Sequence, residues 1–140
     1  SYDFQNSLKN RIDEKCSDVR YATMDDNYYK LLTNAKLVVT TYNCTTPVEA
    51  LAMNIPTIIF WRSEHWELAP SAIPFFEKLR ACGVFHDSQE SAAIMINKIW
   101  DDVDGWWQSQ EVLSACNEFR MWFCRESQDP ISEIANFCKM

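Results

Sequence analysis

Glycine is scarce in this chain, with two residues among 140. A glycine-rich phosphate-binding loop of the dinucleotide or P-loop type is therefore absent. The sequence also lacks the GxSxG nucleophile elbow of serine hydrolases and any paired-histidine metal motif, and it holds two histidines in all. These absences exclude the reaction classes that depend on those motifs.

Basic residues are also few. Thirteen Lys and Arg stand against twenty Asp and Glu, which gives a formal net charge of −7. A nucleic-acid backbone is not expected as a partner, because no basic patch is available to neutralise its phosphates. A single nucleotide is not excluded, since a helix end and a few donors can hold one.

Long apolar runs are missing as well. None approaches the roughly 18 residues that a membrane-spanning helix needs, and no signal peptide is visible, so we expect no transmembrane segment. The six cysteines form no CxxC pair, and no histidine stands near them at metal-ligand spacing. We expect no metal and reduced thiols in a cytoplasmic protein, with extracellular disulfides as the alternative. The chain starts with Ser1 rather than Met, so we also expect it to be part of a longer protein.

The residues that are present favour a folded domain with a substantial core. The hydrophobic share is 47% and the aromatic share is 14%. Aromatic side chains often line clefts. A length of 140 residues predicts a single domain over residues 1–140.

The central stretch runs from Lys36 to Trp61 and predicts a β-loop-α-β unit. Leu37 to Thr41 is an apolar, β-branched run of the length of a strand buried on both faces. A polar turn and a helix follow, and Thr57 to Trp61 is a second apolar strand. Such units almost always form right-handed parallel crossovers.

The helix in this unit has readable ends. Thr46 is predicted as its N-cap, with Pro47 at the first helical position and Glu49 completing a capping box. Asn54 is predicted to adopt the left-handed conformation that ends a helix.

Further elements alternate in the same way. We predict Leu37 to Thr41, Thr57 to Phe60 and Val84 to His86 as neighbouring parallel strands, which makes the fold class α/β, a parallel sheet flanked by helices. The other predicted elements are a strand at Val19 to Ala22, helices at Pro74 to Cys82, Gln89 to Trp100 and Val112 to Cys124, and a turn at Trp100 to Trp107.

Ligands of such sheets bind beyond the carboxyl ends of the strands. The turn after the first strand lies there, at the start of a helix whose backbone N–H groups and dipole favour an anion such as phosphate. Asn43, Thr45 and Thr46 add side-chain donors. The alternative is that Thr46 and Glu49 serve the helix cap alone.

A second loop, Arg62 to Leu68, leaves the next strand at the same edge. It carries His65 and the carboxylates Glu64 and Glu67. His65 and Glu67 are candidate ligand-binding residues; the alternatives are an exposed or structural histidine and a solvated or capping carboxylate. Trp61 and Trp66 are predicted as core or loop anchors rather than base-stacking platforms.

The stretch AKLVVTTYNCTTPVEALAMNIPTIIF resembles the C-terminal, donor-binding domain of GT-B-fold glycosyltransferases, including its Glu-Ala dipeptide at Glu49-Ala50. GVFHDSQESAAIMINKIW is similar to the last strand and following helix of that domain. More narrowly, FWRSEHWEL, Asp87 to Ala93 and IWDDVDGWW resemble a family of bacterial transferases linked to surface-carbohydrate synthesis.

This resemblance implies part of a Rossmann-like domain, with a nucleotide-sugar donor as substrate, no separate cofactor and no metal. Thr45 and Thr46 would meet the donor's phosphates, Glu49 the ribose hydroxyls, and the Arg62 to Leu68 loop the transferred group. A carbohydrate acceptor would be held by an N-terminal domain that this chain lacks. Asn54 stands where many relatives have Gly, and the relatives' glycine-rich loop and basic phosphate-binding residue are missing.

The expected function is therefore binding of a nucleotide-activated sugar for transfer to a surface-carbohydrate acceptor, with the catalytic residues unassigned. Two alternatives stay open. One is a transferase that moves a polyol phosphate from a cytidine nucleotide, and the other is a non-catalytic nucleotide-binding or interaction domain.

Overall fold

A computed structural model describes residues 9–16, 18–62, 64, 66–124, 127 and 129–138. The contacts divide the chain into two compact units, residues 1–31 and residues 32–140. The expectation of a single domain stays a prediction.

Helices and strands alternate from Tyr28 to Ile99, as an α/β fold requires, and only helices follow in the rest of the described residues. The elements are α1 (Tyr28–Thr33), β1 (Val38–Thr40), α2 (Thr45–Ala52), β2 (Thr57–Phe60), α3 (Ile73–Ala81), β3 (Phe85–His86), α4 (Gln89–Ile99), a 3-10 turn (Trp100–Asp102), α5 (Val103–Trp107), α6 (Gln110–Phe123) and α7 (Pro130–Phe137).

The three strands form one parallel sheet in the order β1-β2-β3. Thr40 pairs with Ile59, and Ile59 in turn pairs with Phe85. The prediction of neighbouring parallel strands is confirmed, and the arrangement is compatible with a Rossmann-like fold. The carboxyl ends of all three strands therefore lie at one edge of the sheet.

The central strand β2 separates two apolar layers. Ile59 belongs to the cluster that α2, α3 and α6 build on one face, and Ile58 to a cluster with α4 and α5 on the other. Successive side chains of a strand point to opposite faces, so the Ile-Ile pair anchors both layers. Helices thus cover the middle of the sheet from both sides.

Strand β1 differs from the prediction of burial on both faces. Val38 and Thr40 are buried, but Val39 between them is 43% exposed. The prediction is wrong for this residue because β1 lies at the end of the described sheet and its Val39 face is partly open to solvent.

Asn54 ends the turn after α2 with a backbone φ of 55°, so the predicted left-handed conformation is confirmed. Its side-chain oxygen accepts hydrogen bonds from Arg120 Nη1 at 2.8 Å and from Trp107 Nε1 at 3.2 Å. Arg120 Nη1 also donates to the carbonyl oxygen of Leu51 at 3.2 Å. The carboxyl end of α2 is thereby tied to α5 and α6.

Two other predicted elements are wrong. The chain from Val19 to Ala22 forms no strand; there the Tyr21 hydroxyl donates to Asp13 Oδ1 at 2.8 Å, and side-chain contacts with the helical residues 9–13 replace strand pairing. The predicted turn around Gly105 is helix α5, because the Asp102 side chain accepts from the Gly105 N–H at 2.9 Å and starts a new helix.

Thr40 generates a prediction about stability. Its Oγ1 is buried and has no hydrogen-bond partner among the described residues. Thr40→Val removes a buried hydroxyl that the fold does not satisfy, so the free energy of unfolding should rise by about 1 kcal/mol in urea denaturation. Thr57→Val is the matched control. The Thr57 Oγ1 donates to Ile55 O at 2.7 Å, so losing this hydrogen bond should lower the free energy of unfolding by about 1 kcal/mol. A Thr40→Val protein less stable than the parent would contradict this expectation.

Asn54 generates a second prediction, because its backbone and its side chain can be tested separately. Asn54→Gly keeps the positive φ and the backbone carbonyl that accepts from Trp107 at 3.2 Å, but it loses the side-chain acceptor for Arg120 and Trp107, so stability should fall by about 1 kcal/mol. The stability of Asn54→Ala should be lower by a further ~1–2 kcal/mol, because a Cβ disfavours the left-handed conformation. Chemical denaturation of both variants gives the comparison. Equal stability of the Gly variant and the parent would show that the side-chain contacts contribute nothing.

Candidate functional site

Helix α2 begins at the carboxyl edge of the sheet, but not as the sequence predicts. Its first residue is Thr45 and its N-cap is Cys44, which is extended (φ −144°, ψ −163°) and makes no side-chain cap hydrogen bond. Thr46 is therefore not the N-cap, and Glu49, as the fifth helical residue, lies beyond the capping-box position. The earlier start is tolerated because Pro47 still falls within the first turn, where no intrahelical hydrogen bond is lost.

This helix start suits a negatively charged group. The first turn of α2 carries no acidic side chain, and the helix dipole places partial positive charge there. Backbone N–H groups at a helix start lie outside the intrahelical ladder, although Pro47 contributes none. The local features thus match the requirements for an anion.

Four sequence-predicted residues meet at this helix start. Asn43 and Thr45 are exposed, while Thr46 and Glu49 are half-buried. Glu49 lies four positions after Thr45 and three after Thr46, and residues at these spacings lie on the same side of a helix. The loop and the first turns of α2 therefore form one polar surface, which we call the α2 start (residues 42–49).

Tyr42 is a member of this surface that the sequence analysis did not select. Its side chain is 49% exposed, and a hydrogen bond to the Cys44 side chain raises the pKa of Tyr42 above its usual range. A hydrogen bond from the Thr46 side chain acts in the opposite direction. Tyr42 therefore stays a neutral phenol at physiological pH.

A cavity of about 310 Å³ lies beside the carboxyl ends of β2 and β3. We call it the strand-end cavity. Trp61 and Asp87, the residues that directly follow these two strands, both line it. Its other aromatic and charged lining residues are Trp66, Phe85, Glu67, Glu77 and Arg80.

Arg80 is fixed in this cavity by two carboxylates. Its Nε and Nη2 donate to the two oxygens of Asp87, each at 2.8 Å, and its Nη1 donates to Glu77. These hydrogen bonds, to Asp87 first and then to Glu77, raise the pKa of Arg80 further above its already high value. Arg80 is thus a permanent cation of fixed orientation.

The loop after β2 contributes to the same cavity. Glu67, a predicted ligand residue, is exposed and lines it. Trp61 is 3% exposed and belongs to the core, as predicted, whereas Trp66 is 42% exposed at the cavity. His65 lies outside the described residues.

The other histidine, His86, is engaged inside the fold. Its Nε2 lies 3.0 Å from the carbonyl oxygen of Gly83, and its Nδ1 lies 2.6 Å from the Ser91 hydroxyl. A carbonyl oxygen can only accept, so Nε2 carries a hydrogen, and in the neutral ring Nδ1 accepts from Ser91. His86 is therefore a structural residue.

The cysteines are free thiols. Burial raises the pKa of Cys116 to about 12, and burial also raises the pKa values of Cys82 and Cys124. A nucleophilic cysteine needs a lowered pKa, so these three do not fit that role.

Two features are absent from the described part of the chain. No group of three or more His, Cys, Asp or Glu side chains there could hold a metal ion. None of the described helices combines the length and apolar character needed to cross a bilayer.

Comparison with known proteins gives the family. A family model for LIC12162 family transferases matches residues 1–137. A search of curated proteins and a search of solved structures each returned no match. The family match covers nearly the whole chain and supports an enzyme of the transferase type. The chain therefore belongs to the LIC12162 family of transferases.

Proposed function

We propose that this transferase binds a nucleotide-activated sugar at the α2 start and transfers the sugar to a surface-carbohydrate acceptor. The observation that carries the proposal is the parallel β1-α2-β2 unit, which brings a helix start without acidic residues to the carboxyl edge of the sheet. Ligands of open α/β sheets bind at this edge, and anionic groups bind at helix starts. The family gives the transferase class, and the sequence resemblance to donor-binding domains gives the nucleotide sugar.

The diphosphate of the donor is the group that the α2 start fits. Thr45 supplies a hydroxyl donor beside the backbone amides, Asn43 supplies a carboxamide in the preceding loop, and Thr46 adds a second hydroxyl donor when it turns from Tyr42 to the ligand. All three are uncharged, so the helix start provides the favourable electrostatics at little desolvation cost.

Glu49 is assigned to the ribose hydroxyls of the nucleotide. It lies one turn further along α2 than Thr45 and Thr46, so it would meet the nucleoside beyond the phosphates. An ionised carboxylate accepts from two hydroxyls, and such charge-assisted hydrogen bonds are stronger than neutral ones.

Glu67 and the strand-end cavity are assigned to the acceptor side of the reaction. They lie beyond the carboxyl ends of β2 and β3, next to the α2 start along the same sheet edge. The acceptor then approaches from the side where the donor's sugar projects.

The test is Glu49→Gln, measured against UDP-, GDP-, CMP- and CDP-linked donors by calorimetry and thermal shift. The parent chain should bind at least one of these donors. The variant should bind that donor at least about tenfold more weakly, because charge-assisted hydrogen bonds to the ribose are worth about 1.5–3 kcal/mol.

Glu90→Gln is the matched control. Glu90 is an exposed carboxylate in the first turn of α4, the helix that follows β3 at the same sheet edge. Its change should leave donor affinity within about twofold, since surface substitutions away from a site have small effects. Failure of the parent chain to bind any of the donors would overturn the proposed function. Equal affinity of the parent and Glu49→Gln would remove Glu49 from the site.

A further inference from the structure

The strand-end cavity offers a rigid aromatic wall and an accessible aromatic rim. The Trp61 ring centroid lies 4.7 Å from that of Phe85 and 5.4 Å from that of Phe76, so tilted and edge-to-face contacts hold Trp61 in place. Trp66 is far more exposed and stands at the cavity with a ring open to contact. A flat ligand with an apolar face can pack on such rings.

The charges that line the cavity disfavour an anion. The carboxylates Glu67, Glu77 and Asp87 stand against one guanidinium, that of Arg80, so negative charge is in excess. Like charges repel, and Arg80 is already paired with two of the carboxylates. A phosphate or sugar acid is therefore better placed at the α2 start than here.

The same charges give little reason for a cation. Arg80 already occupies the cationic position, because it pairs with Asp87 and Glu77 and lies 5.1 Å from the Phe85 ring centroid. Glu67 makes no ion pair within the described part of the chain, and its exposed position lets solvent screen its charge. Charge alone thus selects no ionic ligand strongly.

The hydrogen-bond donors and acceptors that remain available in the cavity match the hydroxyl groups of a ligand. A guanidinium has five N–H donors, and the contacts to Asp87 and Glu77 use three of those on Arg80. Carboxylate oxygens accept more than one hydrogen bond each, so Glu67, Glu77 and Asp87 can accept from hydroxyls. The cavity thus combines donors and acceptors with an aromatic wall, which suits a ring with an apolar face and a polar edge.

We propose that the strand-end cavity binds an uncharged sugar ring of the acceptor carbohydrate, so that this chain shares in holding an acceptor that the family resemblance assigns to an N-terminal domain. The inference deepens the proposed function and rests on it for the identity of the ligand as an acceptor. Trp66 packs on the C–H face of the ring, and Arg80 with its two carboxylates exchanges hydrogen bonds with the hydroxyls. The donor's charged groups stay at the α2 start.

The test measures binding of neutral methyl glycosides of glucose, galactose, mannose and rhamnose by calorimetry and ligand-observed NMR. The parent chain should bind at least one of them, with a Kd in the millimolar range. Trp66→Ala should weaken that binding about tenfold, the upper range for loss of one aromatic contact. Trp122→Ala is the matched control, since Trp122 is 69% exposed on α6 and does not line the cavity. This variant should bind the glycoside within about twofold of the parent's affinity.

Donor binding is measured on the same proteins, so the two proposals can fail separately. Trp66→Ala should bind the nucleotide sugar as the parent does. Donor binding without any glycoside binding overturns the acceptor subsite alone, whereas glycoside binding without donor binding overturns the proposed function. Glycoside binding that survives Trp66→Ala, or that falls equally in Trp122→Ala, also overturns the subsite. Tighter binding of glucose 1-phosphate or choline than of every glycoside, lost in Trp66→Ala, overturns the assignment to an uncharged ring.

Discussion

The left-handed turn at Asn54 is the constraint on which the geometry of the sheet edge depends. It reverses the chain from α2 into β2, and its carboxamide oxygen accepts from both Arg120 and Trp107. Arg120 also satisfies a carbonyl in the last turn of α2, where a cation meets the negative end of the helix dipole. With its carboxyl end held in this way, α2 presents its amino end at a fixed place beside β1.

The parallel unit could be predicted from the sequence because its signals are local. Apolar, β-branched runs mark β1 and β2, and Asn is one of the few residues that tolerates a positive φ. The start of α2 was not predictable to the residue. The sequence predicts Thr46 as the cap and Pro47 as the first helical residue, but the structure places the cap at Cys44. Proline is compatible with any position in the first turn, so Pro47 does not fix where the helix begins.

The candidate site was predictable to the extent that it is built from consecutive residues. Asn43, Thr45, Thr46 and Glu49 fall together because one loop and one helix start carry them. The pairing of Arg80 with Asp87 depends instead on how α3 packs beside β3, whereas its pairing with Glu77 follows from their i,i+3 spacing on α3. The exposure of Val39 is likewise a property of the sheet's order rather than of the strand's own residues.

The order of the strands also fixes the distance between the carboxyl ends of β1 and β3. Strands β1 and β3 are each hydrogen-bonded to β2, so the backbone separation of their carboxyl ends equals two strand spacings, about 10 Å. The buried Ile58 and Ile59 hold this spacing from both faces. If a donor and an acceptor occupy the α2 start and the strand-end cavity together, their combined length would have to suit a separation of this order.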